Sequence, residues 1–303
     1  MQTIGITGGT GFIGRHLTKL LVSKGYDVVI FTRSAGKKME KGVTYFHWDP
    51  DTGTCDINAL KELDAVVNLA GAGIADKRLT EKRKKEVMDS RVNSTEFLLS
   101  NLKEHSPGCK TFVSASAIGY YGPDKGGEKP FTETAPPHDD FLGTTCRLWE
   151  AASQKATAFL RMAIIRTGIV LGKDGGAYPQ FAGPLSFGVM PVLGSGKQVV
   201  SWIAIDDLVR LYVHALEHEE IFGIYNGVAP EPVTYRQLMR TIRKVKGGLG
   251  IPVPVPAFAL KLILGEMSTE VLKSCTVSAG KTLGSGFTFN YPDIISAIKN
   301  LNG

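Results

Sequence analysis

The chain has 303 residues, of which 43% are hydrophobic, and it carries a net charge of +6 at pH 7. Such a chain can bury a large core, as one domain or as a domain with an added lobe. No segment approaches the ~20 apolar residues of a membrane span, and the first residues enter a strand pattern rather than a signal peptide, so we expect a cytoplasmic protein.

A glycine-rich run at residues 8–14, Gly-Gly-Thr-Gly-Phe-Ile-Gly, is the most informative motif. It follows an apolar strand-like segment at 3–7 and opens an amphipathic helical segment at 12–23. Glycines at a strand-to-helix turn let the backbone approach a pyrophosphate, whose charge the helix N-terminus binds. A glycine turn without a ligand is the weaker alternative in this context. The candidate cofactor-binding residues of the turn are Gly8, Thr10, Gly11, Phe12 and Ile13.

Strand and helix signals alternate after this turn. Apolar runs predict strands at 27–31, 43–46, 65–69, 111–113 and 162–165, and helical periodicity lies at 12–23, 80–104 and 144–159. The alternation predicts an α/β fold with a doubly wound parallel sheet of the Rossmann type. We expect a dinucleotide-binding domain over 1–170, joined by strands from the second half, and a smaller C-terminal substrate lobe over 171–303.

The second predicted strand ends at Thr32 and Arg33, about 20 residues after the glycine turn. A carboxylate here would accept hydrogen bonds from the ribose 2′-hydroxyl of NAD, whereas a guanidinium binds the 2′-phosphate of NADP. Arg33, with Lys37 and Lys38 close behind, therefore predicts NADP(H) as the cofactor. The alternative is that Arg33 only decorates a surface loop.

Small residues and hydroxyls follow the next two strands. The sequence Asn-Leu-Ala-Gly at 68–71 allows the backbone to pass close beneath an adenine ring and its ribose. Ligands of such sheets lie beyond the carboxyl ends of the strands, so residues 114–122 belong where a nicotinamide ring would lie. Ser116, Tyr120 and Tyr121 are the candidate catalytic residues of this segment.

Taken in order, these motifs identify a family. Further ones are Ser-Arg at 90–91, Gly-Tyr-Tyr-Gly at 119–122, Trp-Glu-Ala-Ala at 149–152, Arg-Thr-Gly-Ile-Val-Leu-Gly at 166–172, Gly-Ser-Gly-Lys-Gln at 194–198, and segments at 202–207, 225–230, 254–258 and 264–267. The set resembles the extended, epimerase-like branch of the short-chain dehydrogenase/reductase superfamily, and within it the 39U type with an added C-terminal domain of unknown function. The resemblance covers essentially the whole chain.

The resemblance implies roles for further residues. Thr32 and Arg33 would meet the adenosine phosphate, and Val170 would lie near the nicotinamide end. The remaining implied cofactor contacts are Leu69, Ala70, Glu86 and Arg91.

The chain departs from the superfamily at the chemistry. In the superfamily a Ser at the end of the fifth strand works with a Tyr-x-x-x-Lys pair, whose Lys lowers the pKa of the Tyr. Counting back from Glu150, the Tyr position falls near Leu142 and the Lys position near Cys146. A phenol from Tyr120 or Tyr121, without a cationic neighbour, would keep a pKa near ~10 and act as an acid rather than a base. This favours reduction over oxidation.

The second half has the character of a substrate lobe. Residues 172–191 are rich in Gly, Pro and aromatic side chains and predict a mobile wall over a pocket. Asp206 and Asp207 are interpreted as the cap and dipole partner of the next helix. His214 and His218 have a zinc-like spacing but suit an exposed last helical turn better. Glycines and prolines at 247–256 predict an appended module that begins near residue 249.

Charged and thiol side chains indicate neither a nucleic-acid partner nor a metal. The densest cationic run, residues 82–85, is flanked by Glu81 and Glu86 and lacks interleaved aromatics, as in a solvated helix face. The four cysteines show no metal or redox spacing, as free thiols of a reducing compartment would: Cys55, Cys109, Cys146 and Cys275.

The sequence therefore predicts an NADP(H)-dependent oxidoreductase or epimerase-like enzyme that reduces a small carbonyl or sugar-like substrate. Two alternatives remain: a non-catalytic NADPH-binding regulatory module, and an NAD-linked nucleotide-sugar epimerase, which would need a base that the chain lacks. As partners we expect the small-molecule substrate and, as an open possibility, a second copy of the chain. We expect neither nucleic acid nor a membrane.

Overall fold

The computed structural model describes residues 2–34, 41–124, 129–247 and 250–302. In chain order the strands are β1 (Thr3–Thr7), β2 (Asp27–Thr32), β3 (Val43–Asp49), β4 (Thr54–Cys55), β5 (Ala65–Asn68), β6 (Thr111–Ala117), β7 (Arg161–Thr167), β8 (Ile169–Gly172), β9 (Gly175–Gly176), β10 (Val189–Leu193), β11 (Val199–Val200), β12 (Trp202–Ala204), β13 (Gly223–Gly227), β14 (Val233–Thr234) and β15 (Ile251–Val255). The helices are α1 (Phe12–Ser23), α2 (Glu81–His105), α3 (Phe141–Gln154), α4 (Tyr178–Leu185), α5 (Ile205–Glu217), α6 (Tyr235–Lys246), α7 (Ala257–Leu264), α8 (Met267–Leu272), α9 (Gly280–Gly284) and α10 (Ile294–Asn302).

An eight-stranded sheet of order β13-β7-β6-β5-β1-β2-β3-β4 forms the centre of the molecule. Its strands pair in parallel, except that β4 returns antiparallel to β3. The chain leaves β1 toward β2 and β3 and later returns to the other side of β1 with β5. The strand order thus reverses between β1 and β5, which is the switch point where doubly wound sheets bind their ligands. The predicted fold class is confirmed.

Helices cover both faces of the sheet, because its strands are apolar on both sides. On one face, Leu17 of α1 and Leu208 of α5 pack with Ile4 and Ile6 of the central strand. On the other face, α2 buries Leu98 and other leucines against the alternate residues of the sheet. Helix α3 packs beside α2 on that second face. Among the described residues, no helix is long and apolar enough to cross a membrane.

The second lobe has a core of its own, built by α4, α6 and α10 around Trp202. The segment 172–191, predicted as a mobile wall, contains β9 and α4, and Tyr178 and Leu185 of α4 are buried. Strand β13 of the second half returns to the central sheet and pairs with β7. Two residues at the predicted start of the C-terminal module, Gly248 and Leu249, lie outside the described part of the chain.

Asp207 connects α5 to the end of the chain. It lies in the first turn of the helix, but the N-cap residue Ala204 makes no side-chain cap. The fully buried carboxylate instead accepts the backbone N–H groups of Asn290 and Tyr291, each at 2.8 Å, and a bond from Arg210. The predicted cap is therefore a tether between helix α5 and the segment before α10.

We expect Asp207→Ala to lower the free energy of unfolding by about 3 kcal/mol, because two backbone N–H groups would lose a buried, charged acceptor. Asp206→Ala is the matched control: within the described chain its half-buried carboxylate bonds only Asn300, so the loss should stay below about 0.5 kcal/mol. Urea unfolding followed by circular dichroism measures both changes. Equal losses for the two variants would contradict the tether.

Candidate cofactor site and active site

The glycine turn after β1 approaches the end of β5 more closely than a side chain would allow. Gly8 has a φ of +69°, and a Cβ atom there would lie 2.7 Å from the carbonyl oxygen of Leu69. A Cβ at Gly14 would lie 2.4 Å from the carbonyl oxygen of Gly8. Both positions require glycine. Helix α1 then begins without a side-chain cap at Gly11, which leaves its N-terminal N–H groups open to an anion.

Buried hydroxyl and amide groups fix the strand ends below this turn. Asn68 at the end of β5 accepts a bond from Thr7 Oγ1 at 2.7 Å and donates to Thr95 Oγ1 at 2.9 Å. Ser153 of α3 donates to Ser114 Oγ at 3.0 Å. These bonds join β1, β5 and β6 to the two helices of one face. The switch point is therefore preorganised, since its polar groups satisfy one another.

Phe12, which follows the turn, lies against three glycines of the second lobe. A Cβ at Gly172 or Gly175 would lie 2.5 Å from its ring, and one at Gly176 would lie 3.1 Å away. His16 of the same helix also contacts Asp174 of this hairpin, with Nε2 and Oδ1 2.8 Å apart. Val170, predicted near the nicotinamide end, lies in β8 beside this hairpin. The structure thus brings Phe12 and Val170 together.

Arg33 lies directly after β2, at the edge of the switch point. Its side chain is 72% exposed, and Nη1 lies 3.8 Å from Oδ2 of the exposed Asp51. Surface ion pairs of this length contribute little, so the guanidinium is available to a ligand. Thr32 accepts a bond from the backbone N–H of Ser34. Lys37 and Lys38 lie outside the described residues.

Arg91 of α2 is a buried cation without a carboxylate partner among the described residues. Its Nη1 donates to the carbonyl oxygens of Ala72 and Val87 at 3.0 and 2.9 Å. Its guanidinium lies 5.2 Å from the ring centre of Trp149. Burial lowers the pKa of Arg91, with a smaller contribution from Arg83. A buried charge that only carbonyls and a ring compensate favours an anion or hydroxyls nearby.

Glu86, also predicted as a cofactor contact, lies one turn before Arg91. Its Oε1 lies 2.6 Å from Nη1 of the buried Arg83, and this hydrogen bond lowers the pKa of the Glu86 carboxyl. The Glu86 side chain is otherwise exposed at the start of α2. Arg83 also donates to the carbonyl oxygen of Gly73, so the pair supports the loop after β5.

A buried ion pair between Glu150 of α3 and Arg166 of β7 lies beneath the predicted catalytic segment. Arg166 Nη2 donates to Glu150 Oε2 at 2.7 Å and Arg166 Nε donates to Oε1 at 2.8 Å. Burial opposes the charge of Arg166, but the bonds and charge of Glu150 outweigh it and raise the Arg166 pKa above its ordinary value. Ser116 Oγ donates to Glu150 Oε1 at 2.6 Å. The hydrogen of the Ser116 hydroxyl is thus directed at the ion pair.

The two candidate tyrosines differ in their surroundings. Tyr121 is buried, and its hydroxyl donates to Asn226 Oδ1 at 2.6 Å and accepts from Arg166 Nη1 at 2.9 Å. Burial raises the pKa of Tyr121 to about 12. Tyr120 is partly exposed, and the Arg166 guanidinium lies 3.5 Å from its ring centre. Within the described chain, the Tyr120 hydroxyl has no protein hydrogen-bond partner.

Leu142 and Cys146 lie where the sequence count places the Tyr and Lys of the superfamily. A Cβ at Gly119 would lie 3.3 Å from Cβ of Leu142, so this residue contacts the turn after β6. The Cys146 thiol is buried beside Ser116 and Ala117, and burial, with the charge of Glu150, raises its pKa to about 11. Both positions adjoin the end of β6, and neither carries a group that transfers a proton at neutral pH.

Glu150, Arg166 and Asn226 occur in the sequence motifs, but the motifs alone do not indicate their roles. The available signal was weak: Glu150 lies in the predicted helix 144–159, and Arg166 directly follows the predicted strand 162–165. His214 and His218 stack with ring centres 4.1 Å apart, and His214 Nε2 contacts the carbonyl oxygen of Ser285. Within the described ranges, no group of three or more His, Cys, Asp or Glu side chains could hold a metal.

The sequence pattern of the NAD dependent epimerase/dehydratase family matches residues 4–226, and a domain of unknown function, DUF1731, matches residues 255–301. The chain belongs to this epimerase/dehydratase family. Epimerase family protein YfhF of Bacillus subtilis is 37% identical over 302 residues, which span 99% of this chain and 98% of that protein. Epimerase family protein SDR39U1 of Homo sapiens is 31% identical over 98% of each chain. The resemblance predicted from the motifs is confirmed.

Solved structures show the same relationship. Human SDR39U1, solved with NADPH, superposes with a TM-score of 0.87 at 31% identity over 99% of both chains. UDP-glucose 4-epimerase of Thermus thermophilus, solved with NAD, has a TM-score of 0.77 at 20% identity over 100% of this chain and 99% of that one. At that identity the second likeness shows the fold alone.

The buried ion pair leads to a stability prediction. Arg166→Met should lower the free energy of unfolding by about 3–5 kcal/mol, because Glu150 would remain buried without a counterion. The double variant Arg166→Met with Glu150→Leu should recover most of this loss, since no uncompensated charge remains. Urea unfolding of wild type, both single variants and the double variant gives the coupling energy. Additive losses would show that the pair is not coupled.

Proposed function

We propose that the protein binds NADP(H) at the switch point and reduces a small carbonyl or sugar-like compound. The observation that carries the proposal is the uncapped N-terminus of α1 behind a glycine turn, with the exposed Arg33 guanidinium at the end of the neighbouring strand. The turn suits a pyrophosphate because it ends at Gly11, where the N–H groups of the first turn of α1 have no side-chain cap. The NADPH found in human SDR39U1 supports the same cofactor here.

The residues fit the parts of this cofactor in order along the sheet edge. Gly8, Thr10 and Gly11 with the start of α1 would hold the pyrophosphate, and Thr32 and Arg33 the adenosine 2′-phosphate. Leu69 and Ala70 would line the adenosine, and Val170 the nicotinamide end. When bound, NADPH supplies the hydride. The protein's own task is to orient a carbonyl beside it and to deliver a proton.

Arg33→Ala should weaken NADPH binding by about 10- to 100-fold, the effect of losing one or two charge-assisted hydrogen bonds to a phosphate. NADH binding should change less than about twofold, since NADH lacks that phosphate. Isothermal titration calorimetry measures both affinities, and Arg147→Ala, an exposed arginine of α3, controls for net charge. Equal losses for the two dinucleotides would place Arg33 elsewhere than at the 2′-phosphate.

Arg91 replaces, from α2, the positive charge that the superfamily places on α3. Its guanidinium carbon would lie 3.1 Å from a Cβ at Gly71, after β5, and its ring partner Trp149 stands one turn beyond Cys146. It therefore lies between the cofactor strand and the position of the missing Lys, which in the superfamily holds the nicotinamide ribose. Arg91 would bind that ribose here.

Arg91→Met should weaken NADPH binding by about tenfold or more but leave binding of adenosine 2′-phosphate 5′-diphosphate, which lacks the nicotinamide riboside, unchanged. Cys146→Lys in the Arg91→Met background should restore part of the loss, because it returns a cation to the same ribose from α3. Calorimetry with the two ligands is the measurement, with Arg147→Met as the control. An equal loss for the truncated ligand would place Arg91 at the pyrophosphate instead.

Tyr120 is the best-placed proton donor of the three candidates. The hydroxyl hydrogens of Ser116 and Tyr121 are directed at Glu150 and Asn226, whereas the Tyr120 hydroxyl has no partner in the described structure. A phenol can protonate the alkoxide that forms as the carbonyl is reduced. Ser116, with its hydrogen on Glu150, would offer its lone pairs to a substrate hydroxyl.

Tyr120→Phe should slow single-turnover oxidation of bound NADPH by a carbonyl compound about 10²- to 10⁴-fold, the usual contribution of a general acid. Tyr121→Phe should leave that step within about threefold and instead lower the stability, because it removes a buried hydrogen bond. A stopped-flow screen of a carbonyl library gives the rates. Full activity of Tyr120→Phe would remove it from the mechanism.

A second candidate is a non-catalytic NADPH-binding module. Leu142 and Cys146 favour it, because they occupy the positions of the superfamily's proton donor and its activating Lys. Stereospecific hydride transfer to any member of the library would exclude this candidate, whereas NADPH binding without transfer across the library would support it.

A further inference from the structure

Helix α6 presents a basic face to the solvent. Of its twelve residues, five are Lys or Arg and none is Asp or Glu. Within the described part of the chain none of the five forms an ion pair, and three of them bond only uncharged oxygens. Clustered cations without counterions favour an anionic partner. The five residues are Arg236, Arg240, Arg243, Lys244 and Lys246.

The two-stranded sheet of β10 and β15, which packs beside α6, leaves large apolar side chains in the solvent. Phe187, just before β10, is 87% exposed, and Ile251, at the start of β15, is 69% exposed. Val189 and Val253 are also exposed. These residues adjoin one another, because Val189 pairs with Ile251 and the Ile251 N–H bonds the carbonyl of residue 188.

The cations and the apolar side chains form one surface. Lys246 Nζ donates to Ser186 Oγ at 3.3 Å, next to Phe187. Arg243 Nη1 donates to the carbonyl oxygen of Gly250 at 3.1 Å, next to Ile251. We refer to the five α6 cations with Phe187, Val189, Ile251 and Val253 as the α6–β15 surface.

Helix α7 begins two residues after the end of β15 and carries further exposed apolar side chains. It buries Leu260, while Phe258, Leu262 and Ile263 are 77%, 78% and 71% exposed. Side chains exposed to this degree protrude from the protein. A protein partner would need a matching pocket for each of them, whereas lipid adapts to any shape.

An added β-strand does not fit this surface. The Ile251 N–H and the Val255 carbonyl both bond toward β10, so the alternate residues Pro252 and Pro254 face the outer edge of β15. Proline has no N–H group, and this edge therefore lacks the donors that a further strand needs. A partner can therefore bind the exposed face of this two-stranded sheet but cannot extend the sheet at its outer edge.

A second copy of the chain fits poorly. A two-fold contact through the α6–β15 surface would bring the cations of α6 against the same cations of the partner. Like charges brought together without counterions oppose association. The basic rim therefore favours a partner of opposite charge.

We propose that the α6–β15 surface, extended by α7, docks the protein on an anionic lipid bilayer. The protruding apolar side chains enter the interface and the α6 cations meet the phosphate headgroups. This binding is peripheral and needs no membrane span, so it departs from the expectation of no membrane partner, which rested on the lack of a span. It is independent of the NADP(H) proposal, since α6 and α7 supply none of the cofactor residues.

Vesicle flotation with the full chain tests the proposal. Vesicles of equal parts phosphatidylcholine and phosphatidylglycerol should carry the protein, and vesicles of phosphatidylcholine alone should carry much less. Binding to the anionic vesicles should fall as salt is added, because salt screens the α6 cations.

Two pairs of variants separate the charge from the apolar contact. Arg240→Gln with Lys244→Gln should weaken binding to anionic vesicles by about 30-fold, whereas Lys19→Gln with Lys103→Gln, exposed cations elsewhere, should change it less than about threefold. Leu262→Ser should weaken binding by about tenfold, whereas Phe222→Ser, exposed away from this surface, should not. NADPH affinity and thermal stability, measured on every variant, should not change.

Several outcomes overturn the proposal. One is no binding to anionic vesicles, and another is equal binding to the neutral ones. A third is an equal loss in the control variants. A fourth is a concentration-dependent dimer in sedimentation that Leu262→Ser abolishes, which would assign the surface to a second copy. A fifth is binding to a soluble polyanion such as heparin, if heparin competes with the vesicles and Leu262→Ser does not weaken its binding. This result would show that the α6 cations bind an anionic polymer instead.

Discussion

The buried pair of Glu150 and Arg166 is the interaction on which the candidate active site depends. A carboxylate and a guanidinium removed from water must satisfy each other fully, so the pair fixes α3 against β7. The surrounding hydroxyls then have little freedom. Ser116 turns its hydrogen toward the pair, Tyr121 lies between Arg166 and Asn226, and Tyr120 packs its ring on the guanidinium. A structural interaction thus decides which hydroxyl is left for chemistry.

The sequence correctly predicted elements whose signals lie within their own segment. Helix α1 begins at residue 12 and ends at residue 23 as predicted, because its glycine turn and apolar periodicity are contained within the segment itself. Strand β6 was predicted too short: it continues through Ser114 and Ser116 to Ala117. Its serines are polar but buried, since α3 supplies their partners from residues 150 and 153. The order of residues within a strand does not indicate that a distant helix will supply hydrogen-bond partners.

The candidate site likewise contains some residues that the sequence could indicate and others whose surroundings depend on distant parts of the chain. The glycine turn and Arg33 could be proposed as cofactor residues from the sequence because that proposal depends only on position in a βα unit. The environment of Tyr121 was not, because its hydrogen-bond partner Asn226 is 105 residues away in a strand that returns from the second lobe. The burial of Arg91 and its lack of a carboxylate partner among the described residues are also properties of the assembled fold. They became visible only when the neighbouring elements were in place.

The contact of Phe12 with Gly172, Gly175 and Gly176 makes the two lobes mechanically interdependent. The ring follows the phosphate-binding turn by a single residue, and the hairpin that receives it leads directly into α4. Any displacement of that turn therefore displaces the hairpin, and a rigid shift of the hairpin pushes back on the turn. Glycine at all three positions is the geometric condition for that linkage.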